Sequence, residues 1–275
     1  MRLFPDRRIL SGLLVAAGLL VAAPARAETE VDLALVIAVD ISFSMDPEEQ
    51  ALQREGFVQA FRSPAVHDAI RRGMIGRIGV AYVEWAGVHD RRVVLPWQVI
   101  DGPRAAEAFA AELAGRPTRR ASRTSISGAI DFARQVLGES GLAATRQVID
   151  LSGDGPNNQG RPVTLARDEA VESGITVNGL PIMVKEAGYF DIAELDLYYR
   201  DCVIGGPGAF MVPVRSREQF VEAVKTKIIM EVAARPVPGQ AAEREGGGLV
   251  IPAQAGGRGA NCFSGESQWR DRMGN

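Results

Sequence analysis

Asp40, Ser42 and Ser44 stand two residues apart in "VIAVDISFSMDPEEQ", where an apolar run stops at a carboxylate. Thr124 lies far downstream in "SRTSISGAI", and Asp154 further still in "LSGDGPNN". Together they offer two carboxylates and three hydroxyls, all hard oxygen donors. Such donors suit a small hard cation that takes octahedral oxygen coordination and keeps some of its waters. Zinc draws imidazole and thiolate ligands, and neither accompanies these residues. The chemistry implied is therefore one Mg²⁺ or Mn²⁺ ion. Five protein groups, some acting through water, leave one position for an oxygen from outside. Each residue taken singly has an ordinary alternative. Asp and Ser make turns and caps, Thr124 suits a helix N-cap, and Gly-Asp-Gly is a turn.

These side chains need a scaffold that delivers them to one place. "VDLALVIAVD" (31–40) is almost continuously apolar, as expected of a parallel strand covered on both faces. Asp46-Pro47-Glu48-Glu49 then supplies an N-cap, a proline at the first helical position and a glutamate at the third, opening a helix to about Arg62. Ser63-Pro64 opens a short helix that ends at Gly73. Strands are expected at 77–87, 91–100, 146 onwards, 175–183 and 208–214. Helices are expected at 102–115, 124–138, 163–174, 190–203 and 216–233. Pro96 places 91–100 at an edge, because a central strand needs every N–H. Alternation of this kind predicts an α/β domain, a doubly wound and mainly parallel sheet with helices on both faces and one antiparallel edge strand. Ligands of such sheets bind beyond the carboxyl ends of the strands at the topological switch point. Asp40 and Asp154 both follow strands at that edge.

Residues 1–27 read as a cleavable signal peptide: Arg2, Arg7 and Arg8, then "ILSGLLVAAGLLVAA", then "ARA". Its apolar stretch falls short of the ~20 residues a spanning helix needs, and no other run is long enough. The expected location is periplasmic or secreted, with no integral membrane span after cleavage. The whole chain carries −3, and removal of the leader leaves −6, which disfavours nucleic acid as a partner. The expected domain occupies 28–234. Residues 235–275, rich in Gly and Pro, are expected to form a disordered tail. Cys202 and Cys262 could pair in an oxidising compartment or remain two thiols, since spacing alone does not decide.

The set Asp40-x-Ser42-x-Ser44, Thr124 and Asp154 resembles the metal-ion-dependent adhesion site of von Willebrand factor A domains, in the family's order, over about residues 31–233. That resemblance implies that Ser42, Ser44 and Thr124 contact the metal directly or nearly so, while Asp40 and Asp154 act largely through water. It also implies a protein partner whose Asp or Glu carboxylate completes the coordination. More narrowly, "VDLALVIAVDISFSM", "SGDGPNN" and "YYRDCVIGGPGAF" resemble a family of exported bacterial proteins of unknown function related to these domains.

Three functions are compatible with this reading. The first is a binding module without catalysis. The second is a metal-dependent hydrolase, which needs a positioned base or nucleophile beyond the ligands. No Gly-x-Ser-x-Gly elbow or P-loop is present, and His67 and His89 are isolated from each other. The third is a scaffold that keeps the fold without metal. Around the site, Asn157 and Asn158 read as turn formers that could tune the rim, and Met45 as packing. Glu84 and Trp85 end a strand near the same edge and could touch a partner.

Overall fold

The structure, a computed structural model, describes residues 28–185, 192, 194–233, 250–252 and 259–273. The expected signal peptide lies outside the described residues. Strand β1 (Thr29–Asp40) is the spine of the sheet, and its last eight residues are buried without a break. It pairs in parallel with β2 (Ile78–Trp85) on one side and with β4 (Leu142–Gly153) on the other. β3 (Arg91–Ile100) runs antiparallel to β2, as Pro96 foreshadows. Beyond β4 come β5 (Ile175–Pro181) and β6 (Phe210–Met211), both parallel, and then β7 (Ile251–Pro252), antiparallel. The order is β3-β2-β1-β4-β5-β6-β7. Two edge strands are antiparallel, where the sequence suggested one. The second belongs to the expected tail.

Helices cover both faces. α1 (Pro47–Arg62), α2 (Pro64–Arg71), α3 (Pro103–Ala114) and α7 (Phe220–Ala233) bury Phe57, Phe61, Phe109 and Phe220 against one face. α4 (Ile126–Gly138), α5 (Val163–Glu172) and the short α6 (Leu195–Tyr198) close the other. α1 begins as its sequence specifies. The Asp46 carboxylate accepts from Glu49 N–H at 2.8 Å, and Glu49 accepts in return from Asp46 N–H at 2.9 Å.

Three elements depart from expectation. Of the helix expected at 190–203, residues 190, 191 and 193 lie outside the described residues, and α6 is followed directly by a π-helical turn, Tyr199–Val203, with the consecutive Tyr198 and Tyr199 both buried at the junction. The strand expected at 208–214 shrinks to two residues plus an isolated bridge at Val214, because Pro213 has no N–H to donate. Residues 250–252 and 259–273, expected to be disordered, include β7 and α8 (Ser264–Met273), and Cys262 is disulfide-bonded to Cys202. A covalent link supplies what apolar periodicity does not in "SGESQWRDRM".

Candidate metal centre

β1 and β4 are neighbours whose crossovers leave in opposite directions, so a crevice opens beyond their carboxyl ends. Asp40 is the last residue of β1 and Asp154 the first after β4. The Ser42 N–H donates to Asp40 Oδ1 at 2.7 Å, which bends the loop back on itself. Ser42 Oγ and Ser44 Oγ are hydrogen-bonded at 2.8 Å, and Ser44 Oγ donates to Asp154 Oδ1 at 2.6 Å. Two basic side chains clamp the same loop by its carbonyls: Arg120 donates to Phe43 O at 2.6 Å and Lys185 to Ser44 O at 2.8 Å.

Thr124 arrives from the other side. A one-residue bridge joins Ser42 to Ala121, with Ala121 N–H donating to Ile41 O at 2.9 Å. Thr124 N–H donates to Asn158 Oδ1 at 2.9 Å, and Asn158 N–H donates to Thr124 O at 2.8 Å. Ser125, not Thr124, is the N-cap of α4, its hydroxyl accepting from Gly128 N–H. The capping alternative for Thr124 therefore falls to its neighbour. Ser42, Ser44 and Thr124 line one cleft of about 590 Å³ together with Arg123, Asn158 and Trp269.

The electrostatics are unusual for a protein interior. Asp40 is fully buried, and its Oδ2 has no aligned donor among the described residues. Burial, then repulsion from Asp154, pushes its carboxyl well above the ordinary range, against weaker help from Ser42 and the Asp154 backbone. A cation that acts on the pair is Lys185, which interacts with Asp154. Tyr199, on the π-helical turn, has a buried hydroxyl with no aligned partner among the described residues, and burial followed by Asp40 and Asp154 raises it well above the usual phenol value. Gly153 is the spacer between them. A Cβ there would lie 2.9 Å from Asp40 Oδ2 and 3.0 Å from the Tyr199 hydroxyl.

An anionic group removed from water without a compensating charge is costly. The donor set and the orphaned Asp40 oxygen fit a divalent cation bound to oxygen. Among the described residues no group of three or more His, Cys, Asp or Glu side chains is placed to hold a metal. A site built on three hydroxyls and two carboxylates is not of that kind.

Other expectations resolve differently. Glu84 and Trp85 are fully buried and cannot meet a partner. Glu84 instead receives Arg54 at 2.7 Å on one oxygen and Arg92 at 2.8 Å on the other, beneath the site. Met45 packs in the core. Asn157 and Asn158 do more than turn the chain. Asn158 holds Thr124, and Asn157 Oδ1 accepts from Ser127 N–H at 3.0 Å while its Nδ2 donates to Glu266 Oε1 at 2.7 Å. Tyr199 falls in the segment "YYRDCVIGGPGAF" that carries the family resemblance, but nothing in the sequence marked it as a site residue. It lies remote from the motif, and only the fold brings it to Asp40.

Residues 30–236 match the family described as "Protein of unknown function (DUF1194)". The chain belongs to that family. No curated protein matches this DUF1194 chain. Among solved structures, proximal thread matrix protein 1 from the mussel byssus is 15% identical, with a TM-score of 0.53 over 75% of this chain and 49% of that one. A von Willebrand factor type A protein from Catenulispora acidiphila is 18% identical, with a TM-score of 0.50 over 74% of this chain and 43% of that one. The pilus adhesin SpaC from Lactobacillus rhamnosus GG is 12% identical, with a TM-score of 0.55 over 74% and 31%. At such identities the likeness shows the fold, which is of the von Willebrand factor A type. The chain spans about half or less of the length of these structures.

Proposed function

We propose that this DUF1194 protein is an exported, non-catalytic binding module that engages an acidic group of a partner protein through one Mg²⁺ or Mn²⁺ ion. The single observation behind this reading is the buried Asp40 carboxylate, hydrogen-bonded by Ser42 N–H and repelled by Asp154, at the edge of a cleft that Ser42, Ser44 and Thr124 line together. Ser42, Ser44 and Thr124 would hold the ion, with Asp40 and Asp154 supporting it through water. When bound, the ion supplies an electrophilic position for a carboxylate oxygen. The chain's own part is to keep the hydroxyls converged and the rim basic. Arg120 and Lys185 brace the loop; Lys185 is itself ion-paired with Glu49 and Asp46, so the positive charge that favours an acidic partner comes from Arg120, over Phe43, and from Arg123 on the cleft wall.

The adhesin and matrix-protein neighbours support a role in protein interaction. Among the described residues no helix is long and apolar enough to cross a membrane. Export to the periplasm or beyond rests on the leader-like residues 1–27, and the disulfide agrees with an oxidising compartment.

The test is thermal unfolding with Mg²⁺ or Mn²⁺. At one hundred times Kd, binding to the native state alone adds about 2.7 kcal/mol, or roughly 5–11 °C for a domain of this size. Thr124→Ala and Asp154→Ala should abolish that shift. A wild-type protein indifferent to both ions would refute the metal reading and leave the metal-free scaffold. EDTA-sensitive turnover on a hydrolase panel would instead favour the enzyme.

A further inference from the structure

The cleft has a wall that the matched family segment, residues 30–236, does not contain. Gly265, Gln268 and Trp269 of α8 line it together with Ser42, Ser44 and Thr124. The contact is close: a Cβ on Gly265 would fall 2.1 Å from Asn157 O, so only glycine fits. Trp269 stacks beneath the Arg123 guanidinium, 3.4 Å from the ring centroid, and Glu266 accepts from Asn157. Both contacts fall on residues that set Thr124. Arg123 directly precedes it with φ +75°, a left-handed conformation strained for a residue with a Cβ. Asn157 adjoins the Asn158 that holds it.

The other end of the segment is anchored. Cys262 is bonded to Cys202, which is fully buried in the core, and Ala260 N–H donates to Asp201 Oδ2 at 2.9 Å. A helix as polar as "SGESQWRDRM" has little apolar surface to hold it in place. The staple substitutes for that surface.

We propose that residues Ala260–Arg270 are a disulfide-anchored wall of the binding cleft, so that this chain's own C-terminal helix occupies the Thr124–Asn157 side of the rim and limits entry to the site. The access half of the proposal rests on the metal-binding reading above; the wall itself does not. Reduction of the disulfide would release the wall. A dithiol reductant gives up two electrons and two protons, Cys202 and Cys262 become thiols, and the reductant closes as its own disulfide.

Two measurements on the full chain decide the matter. Hydrogen exchange, without metal, compares the wild type with Cys262→Ser, with Trp269→Ala and with the dithiol-reduced wild type. Amides from Thr124 to Gly128 should exchange about tenfold faster in all three, as expected when a local closure is lost. Trp269→Ala keeps the disulfide, so a general folding defect from cysteine loss is separable. Unchanged exchange in all three would overturn the wall. In the second arm, Mn²⁺-loaded protein is chased with excess EDTA, itself a small carboxylate probe. Release about tenfold faster in Cys262→Ser supports control of entry, and equal release overturns it. A wild type that binds no Mn²⁺ overturns the access half together with the metal reading, while the exchange arm still decides the wall.

Discussion

Lys227 on α7 offers a test of how the helix is held to the sheet. Its ammonium is about 1% exposed and lies 2.6 Å from Glu231 Oε1 and 2.9 Å from Asp150 Oδ1. Phe210 presents its ring face at 4.5 Å, and Asn178 donates to both Glu231 oxygens. One buried cation thus serves two buried carboxyls. Burial raises both acids above their ordinary values, and Lys227 is the main group pulling them back. Lys227→Met removes that pull and leaves two acids facing each other without charge compensation. Breaking a buried pair in this way costs about 3–5 kcal/mol. At 2–4 °C per kcal/mol, the melting temperature should fall by roughly 6–20 °C. The pH dependence fixes the sign. An acid whose folded pKa is raised holds its proton in the fold after the unfolded chain has released it. Stability therefore falls as pH climbs from about 4 through the folded pKa, by at most about 1.4 kcal/mol per unit and per group. Without Lys227 that window widens upward, so the variant should lose more at pH 8 than at pH 5. Urea unfolding at the two pH values reads this directly. Equal losses at both, or a loss under about 1 kcal/mol, would refute the account of a shared buried charge.

Gly153→Ala should cost about 1–3 kcal/mol by crowding Asp40 and Tyr199, and should weaken any Mn²⁺-dependent thermal shift, read by calorimetry with and without the ion. Glu84→Ala leaves Arg54 and Arg92 without their shared carboxylate and should cost about 3–5 kcal/mol in chemical denaturation, with Arg54, the more buried of the two, dominating. Asp46→Ala removes the cap of α1 and should cost about 1 kcal/mol. The Asp46 carboxyl is held below its ordinary range chiefly by Glu49 N–H, so this contribution fades as pH falls through that lowered value and persists above about pH 4.

The elements legible in the sequence are those whose signal is local. β1 is a buried run that ends at its own functional residue, and α1 carries its cap and its proline within four residues. The five oxygen-bearing residues could be proposed because two of their segments follow strands and one begins a helix, and a parallel sheet gathers such places at one edge. What the sequence did not reveal is held by distant contacts. α8 owes its position to a disulfide spanning 60 residues and to an arginine–tryptophan stack, neither of which leaves a periodic trace. Tyr199 reaches Asp40 through a π-helical turn where an ordinary helix was expected. Glu84 looks like an exposed strand end until Arg54 arrives from α1 to bury it.

Among the described residues, both lateral margins of the sheet end in a strand that contains proline. Pro96 sits exposed in β3 and Pro252 exposed in β7, and neither can donate a main-chain proton outward. Arg91 and Arg92 add charge to the first margin. Another polypeptide seeking to zip itself alongside would meet an interrupted ladder at either flank. Lateral stacking of copies into fibres along these described edges is thereby discouraged.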